Sequence, residues 1–219
     1  MPKGGMMLKG FSLFFSITIC SIPHTPPSCS ILSSQLRYPT QHHIHIMPAY
    51  HSAFNEETDL RSVGSMALLP IKTRVRGPAS IADPNEEDII DEALNLFRAN
   101  VLFRNFEIKG DADRVLIYLI LFITECLGKL ARNPSQREAE KILGTLALSN
   151  FAIPGDATFP LNALYAPPNN KMDADLLRQY LSQLRQEMAL RLPARIYDND
   201  KPGKWWMCFQ KRKFMNKSL

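Results

Sequence analysis

The sequence predicts an all-α fold: a compact helical domain over residues 47–219, with one buried central helix surrounded by the others. Two observations carry that expectation. Apolar residues recur at helical spacing in three places, each behind an acidic or capping signal. Between the first two of these lies an apolar run, 115–123, with no polar side at all. Period-2 alternation is confined to one short basic segment.

Residues 47–84 read as extended chain and turns. Met66-Ala-Leu-Leu-Pro70 is an apolar anchor ended by proline, and Lys72, Arg74 and Arg76 then alternate with Ile71, Thr73 and Val75. This arm is expected to be a solvated edge carrying three bases on one side. The first helix should start after Pro84, capped by Asn85, with Glu86, Glu87 and Asp88 at the positive end of its dipole. Ile90, Ala93, Leu94, Phe97 and Val101 form its apolar stripe. The six carboxylates between Asp83 and Glu92 suit a solvated first turn better than a paired-carboxylate site.

Gly110-Asp111 opens the second element. The nine apolar residues of 115–123 are too few to span a bilayer. A strand satisfies their periodicity, but the continuation through Glu125, Leu127, Lys129 and Leu130 favours a helix wrapped by others. Ser135-Gln-Arg-Glu138 has the form of a capping box, followed by the stripe Ala139, Ile142, Leu143 and Leu146. Residues 150–170 form a Pro- and Gly-rich loop, held to the body by Phe151, Phe159, Leu161 and Tyr165. A last helix begins near Asp173. Its stripe is Leu177, Tyr180, Leu181, Leu184 and Met188, with Arg178, Arg185 and Glu187 outward, and Pro193 should end it.

Residues 1–46 differ in composition. They hold no Asp or Glu, are rich in Ser and Pro, and carry an apolar stretch from Phe11 to Ile22. Ser and Thr interrupt that stretch and no small-x-small cleavage site follows it, so it fails as a secretory signal. The expectation is a disordered leader or a non-native extension, with Met47 as an alternative start. Of the formal charge of +5, only +2 belongs to the chain from Met47 onward.

Chemistry is sparse. All five histidines lie at or before His51, which leaves the remainder without the commonest general base and metal ligand. Cys20, Cys29, Cys126 and Cys208 form neither a disulfide framework nor a C-x-x-C pair, a usage that suits a reducing compartment. Cys126 falls on the expected buried helix and should be an inert core thiol. There is no nucleotide-binding, P-loop, zincin or nucleophile-elbow motif. No catalytic residue, metal site or cofactor is expected.

The informative segment is the end, from Lys201 to Leu219, which has six bases, no acid, and two Trp and two Phe among the bases. The candidate protein-binding residues are Lys201, Lys204, Trp205, Trp206, Phe209, Lys211, Arg212, Lys213 and Phe214, since aromatic and Arg side chains dominate interface hot spots. The competing reading is structural: Trp205, Trp206 and Phe209 close the core. Stacking on nucleic-acid bases is a further use of such a tail, although no nucleic-acid-binding signature accompanies it.

Several segments together resemble the third-subunit family of the actin-related protein 2/3 complex. They are Gly64-Ser-Met-Ala-Leu-Leu-Pro-Ile71, Asp88-Ile-Ile-Asp-Glu-Ala93, Ala112-Asp-Arg114, Phe159-Pro-Leu-Asn-Ala163, Gln183-Leu-Arg-Gln-Glu187, Asp200-Lys-Pro202, Lys204-Trp-Trp206 and Arg212-Lys-Phe-Met-Asn-Lys-Ser218. The likeness runs from Met47 to Leu219. It implies a small helical fold with a central helix, and a non-catalytic subunit that supports nucleation of branched actin filaments. The implied partners are the other subunits, especially the third actin-related protein, and the actin filament, with no nucleic acid and no membrane. The implied location is the cytoplasm and cytoskeleton, in cell projections where branched actin forms. The alternative is a basic adaptor that binds nucleic acid or an acidic membrane surface through its tail.

Overall fold

The computed structural model describes residues 49–57 and 59–219. The expectations for 1–46 lie outside the described residues. The described part is mostly helical: α1 spans Ile89–Asn100, α2 Asp111–Lys129, α3 Gln136–Leu148 and α4 Lys171–Ile196, with a short α5 at Lys204–Met207. Two antiparallel pairs of two-residue strands complete it. β1 (Ser62–Val63) pairs with β2 (Met66–Ala67), and β3 (Tyr197–Asp198) with β4 (Lys201–Pro202).

The run 115–123 is helix, and every residue from Val115 to Ile123 is buried. α2 packs against α1, α3, α4 and β2. The α1 stripe is buried in full. Its cap, however, is Asp88 and not Asn85. The buried Asp88 carboxylate accepts from Ile90 N and Asp91 N, while Asn85 N donates locally to Asp83. An Asp that also faces a guanidinium caps better than an Asn left in solvent, which moves the start of the helix downstream.

α3 carries its capping box, with Glu138 N donating to Ser135 Oγ and Ser135 N to Glu138 Oε2. Ala139, Leu143 and Leu146 are buried as the pattern requires, but Ile142 stands at the edge of the stripe and is exposed, with Ala147 taking the inner place. In the 150–170 loop Phe159, Leu161 and Tyr165 are buried, and Tyr165 OH donates to Arg114 O at 2.6 Å.

α4 departs furthest from its expected form. Arg185 and Glu187 are buried, not outward. The Arg185 guanidinium lies 4.3 Å from the Phe122 ring centroid and 4.7 Å from that of Phe151, and donates to Leu146 O at 3.0 Å. Glu187 accepts from Thr73 Oγ1 at 2.8 Å and from Arg191 Nε at 2.8 Å. Pro193 does not end the helix, which runs to Ile196. The missing N–H of the proline costs one bond to the Ala189 carbonyl, and the burial of Leu192, Pro193 and Ile196 keeps the last turn helical all the same.

Two buried carboxylates fasten the chain ahead of α1. Asp113 accepts from Ser52 N, Asn55 Nδ2 and Lys109 N, and lies 2.9 Å from His51 Nδ1. Asp88 accepts from Lys72 N and from Arg191, which also donates to the Lys72 carbonyl. Lys72 reaches Asp91, so the first base of the expected solvated edge is half-buried and paired, while Arg74 and Arg76 are exposed. Gly64, at φ +57° in the β1–β2 turn, admits the loop so closely that a Cβ would come within 2.8 Å of Ala166 O.

Candidate protein-binding face

The tail is aimed by a hairpin. Asn199 and Asp200, at φ +49° and +61°, make the two-residue turn between β3 and β4, a conformation Asn and Asp tolerate best after glycine. Asp200 Oδ1 then accepts from Gln136 N at 2.8 Å, which ties the turn to the start of α3. Gly203 N donates to Ile196 O, and a Cβ on Gly203 would stand 3.0 Å from that same oxygen. The chain leaves this close contact directly into α5.

Neighbours on a helix point about 100° apart, and α5 uses that angle to divide its tryptophans. Trp206 turns inward and stacks on Phe97, with ring centroids 5.5 Å apart and planes at 10°. Phe209 meets the same Phe97 edge-on at 5.9 Å. Trp205 turns outward and is 76% exposed. Further along, Gln210 Nε2 donates to Leu127 O and Met215 N to Phe103 O, two bonds that hold the tail along α2 and the segment after α1.

The nine candidate residues therefore separate. Lys201, Lys204, Trp205, Lys211, Arg212 and Lys213 are exposed, and none of these bases is in an ion pair among the described residues. Trp206 and Phe209 are partly buried under them. Phe214 is fully buried, edge-on to Phe106 at 5.9 Å, and belongs to the core because the chain folds back over α2 at that point. A hollow of about 200 Å³ opens beside the bases, lined by Lys211, Arg212, Lys213 and Lys217. Sequence reasoning missed Arg98, whose guanidinium sits 6.0 Å above Trp206. The signal for it was weak, since an outward base on α1 gives no hint of a ring from the far end of the chain.

Among the described residues no group of His, Cys, Asp and Glu could hold a metal ion, and no helix is long and apolar enough to cross a membrane. Burial pushes the Cys126 thiol far up, away from the thiolate that chemistry would need. Cys208 is exposed, 3.4 Å from Trp205 O.

Known proteins resemble the chain over the same stretch that carries this face. The family model described as "P21-Arc: ARP2/3 complex ARPC3 (21 kDa) subunit" matches residues 47–219. "Actin-related protein 2/3 complex subunit 3" of Schizosaccharomyces pombe is 58% identical over 175 residues, which are 79% of this chain and 100% of that one. The protein of the same name in Dictyostelium discoideum is 54% identical over 173 residues, 78% of this chain and 99% of its own. That of Arabidopsis thaliana is 40% identical over 168 residues, 76% and 97% respectively. With its matched region reaching from Met47 through the hairpin and tail to Leu219, the chain belongs to the family of the 21 kDa third subunit of the actin-related protein 2/3 complex.

Proposed function

We propose that residues 47–219 act as a single-domain, non-catalytic subunit of the actin-related protein 2/3 complex and support nucleation of branched actin filaments by protein–protein contacts. The observation that carries this reading is the family match over that entire stretch, reinforced by a relative 58% identical whose full length is covered. Within the complex the principal partner is the third actin-related protein, with the actin filament beyond it. The place of work is the cytoplasmic actin cytoskeleton, in projections where branched actin forms. α2 is then the central helix of the subunit, a reading supported by its burial on every side from Val115 to Ile123. The comparisons lend no support to a basic adaptor for nucleic acid or acidic membranes.

The contact face in this reading is the tail. Trp205 is its aromatic anchor, Trp206 and Phe209 hold it in place, and Lys201, Lys204, Lys211, Arg212 and Lys213 form its charged rim. Exposure of the Trp205 indole among bases that make no ion pair among the described residues supports the assignment, since such anchors carry interface energy and rim charges steer approach. The test uses the complex lacking its third subunit, to which the full chain is added. Wild type should incorporate and restore nucleation of branches in a pyrene-actin assay. Trp205→Ala should keep its melting temperature yet dissociate about tenfold faster. Reversing Lys211, Arg212 and Lys213 to Glu should slow association and weaken its salt dependence. Unchanged rates in both variants would remove the tail from the interface, and failure of wild type to incorporate would remove the subunit reading itself.

A further inference from the structure

We propose that the segment 50–55 positions the contact face of the tail, with His51 as the positioning residue and Phe106 as the ring through which it acts. The inference rests on the tail being that face and adds what holds it in place. Lys211, Arg212 and Lys213 are strung between two fastenings. Upstream, Phe209 meets Phe97 edge-on and Gln210 Nε2 donates to Leu127 O at 3.0 Å. Downstream, Phe214 is fully buried edge-on to Phe106, and Met215 N donates to Phe103 O at 3.0 Å. The downstream fastening is strained. Met215 and Asn216 both take a left-handed backbone, at φ +51° and +56°. An unbranched side chain such as that of Met215 adopts it at a cost and keeps it only where its surroundings impose it. Released from Phe106, the tail has a more stable backbone to relax into.

Phe106 cannot impose that conformation unaided. Among the described residues no backbone group of 104–108 makes a hydrogen bond, so the ring has to be held by its neighbours. One neighbour is Phe214, with ring centroids 5.9 Å apart, and another is His51, at 5.0 Å and 60°.

His51, by contrast, is fixed to rigid elements. Its Nδ1 lies 2.9 Å from Asp113 Oδ2 in the first turn of α2. Lys109 N donates to the same oxygen, and Ser52 N and Asn55 Nδ2 donate to the other. Asp113 is therefore a buried acceptor throughout, and His51 Nδ1 carries the proton between them. The residues beside His51 are tied to α1. Tyr50 N donates to Asn100 Oδ1 and Asn100 Nδ2 to Tyr50 O, while Ser52 Oγ and Ala53 N donate to Glu92. The imidazole is a wall set by two helices, and Phe106 passes its position on to the tail. Removing a ring that only filled the core would weaken the whole domain. Removing this wall opens the tail alone, because α1 and α2 pack on each other without it.

Hydrogen exchange in the isolated full chain reads the coupling, and dissociation from the complex reads its consequence. His51→Ala should speed exchange of the Met215 and Lys217 amides at least about tenfold and leave those of α1 to α4 unchanged. His51→Phe keeps a ring and gives up the bond, and should restore most of the protection. His51→Asn keeps a donor for Asp113 and gives up the ring, and should not. Once incorporated, His51→Ala should dissociate about threefold faster than wild type. Added to Lys211→Glu, Arg212→Glu and Lys213→Glu together it should have no further effect, whereas with Trp205→Ala the two effects should multiply. Faster exchange through all the helices would make His51 a core residue and overturn the proposal. Unchanged exchange at Met215, or protection restored by His51→Asn and not by His51→Phe, would overturn it too. So would a tail that opens without faster dissociation. In each of these cases the tail remains the contact face if Trp205→Ala and the base reversal change the rates. If neither changes them, the tail reading fails and takes this proposal with it.

Discussion

Helices α2 and α4 both send side chains into the core, but with opposite chemistry. From Val115 to Ile123 α2 sets only Tyr118 OH among apolar atoms, and its one buried charge, Asp113, sits in the first turn. α4 buries Gln183, Arg185 and Glu187 in its middle and brings the half-buried Arg191 in behind them. The two arginines differ again between themselves. Arg191 is surrounded by acceptors: both oxygens of Asp88 at 2.9 Å, Asp91 at 3.1 Å and Glu187 at 2.8 Å. Arg185 lies between two rings, its nearest carboxylate oxygen is Glu125 Oε2 at 3.8 Å, and its Nε has no partner among the described residues. A dry helix is held by area removed from water and a charged one by particular partners, so the two should fail differently when changed.

The largest effect is expected in α2. Ile120→Asp would place an unpaired carboxylate where nothing can accept or neutralise it, at a cost of several kcal/mol, comparable to the stability of a whole domain. The variant should be unfolded, or melt tens of degrees lower by circular dichroism. Melting within a few degrees of the parent would show that the site can reach water and would dissolve the contrast with α4.

Next comes the Arg191 cluster. Asp88→Ala removes the α1 cap and both of its charged hydrogen bonds to Arg191, which keeps only the carboxylates of Asp91 and Glu187, a loss of about 3–5 kcal/mol. Arg185→Met should cost less, about 1–2 kcal/mol, because ring contacts survive in part and no carboxylate is left within ion-pairing distance at full strength. Urea midpoints at pH 7 measure both. Equal losses would mean that Arg185 depends on Glu125 as strongly as Arg191 depends on Asp88.

That contrast also marks what could be read from the sequence. α2 was legible because a run without a polar side has one solution in water, and the Ser135 box and the α1 stripe because their signals lie within a few residues. The interior of α4 was not. Arg185 finds Leu146 and Phe122, and Glu187 finds Thr73, on elements far back in the chain, and periodicity assigns any charge to solvent by default. Asp88 won the cap from Asn85 for the same reason, through an arginine on α4. At the candidate face, composition identified the segment but not its division. Which of Trp205 and Trp206 turns outward depends on where Phe97 lies, and Phe214 is internal only because the tail folds back against Phe106.

The smallest effect is the most discriminating, because its sign differs between the two regions. Burial raises the Glu125 carboxyl on α2, and the attractions of Arg185 and Lys129 only partly offset this. Burial also acts upward on Asp91, but hydrogen bonds and charges from Lys72 and from Arg191 of α4 outweigh it and leave that carboxyl lowered. A raised carboxyl contributes stability that is fully present below its unfolded pKa and is lost as pH rises through the folded one. A lowered carboxyl contributes stability that is present above its unfolded pKa and is lost as pH falls through the folded one. The unfolded values lie near about pH 4, so the Glu125 window opens above that point and the Asp91 window below it. Glu125→Gln, which mimics the protonated acid, should therefore match wild type at acid pH and gain on it toward pH 7. Asp91→Asn should be the weaker protein at pH 7 and approach wild type as the pH drops below about 4. Urea midpoints taken across that range would separate the two, and parallel curves for both variants would mean that α2 and the Arg191 cluster handle their carboxylates alike.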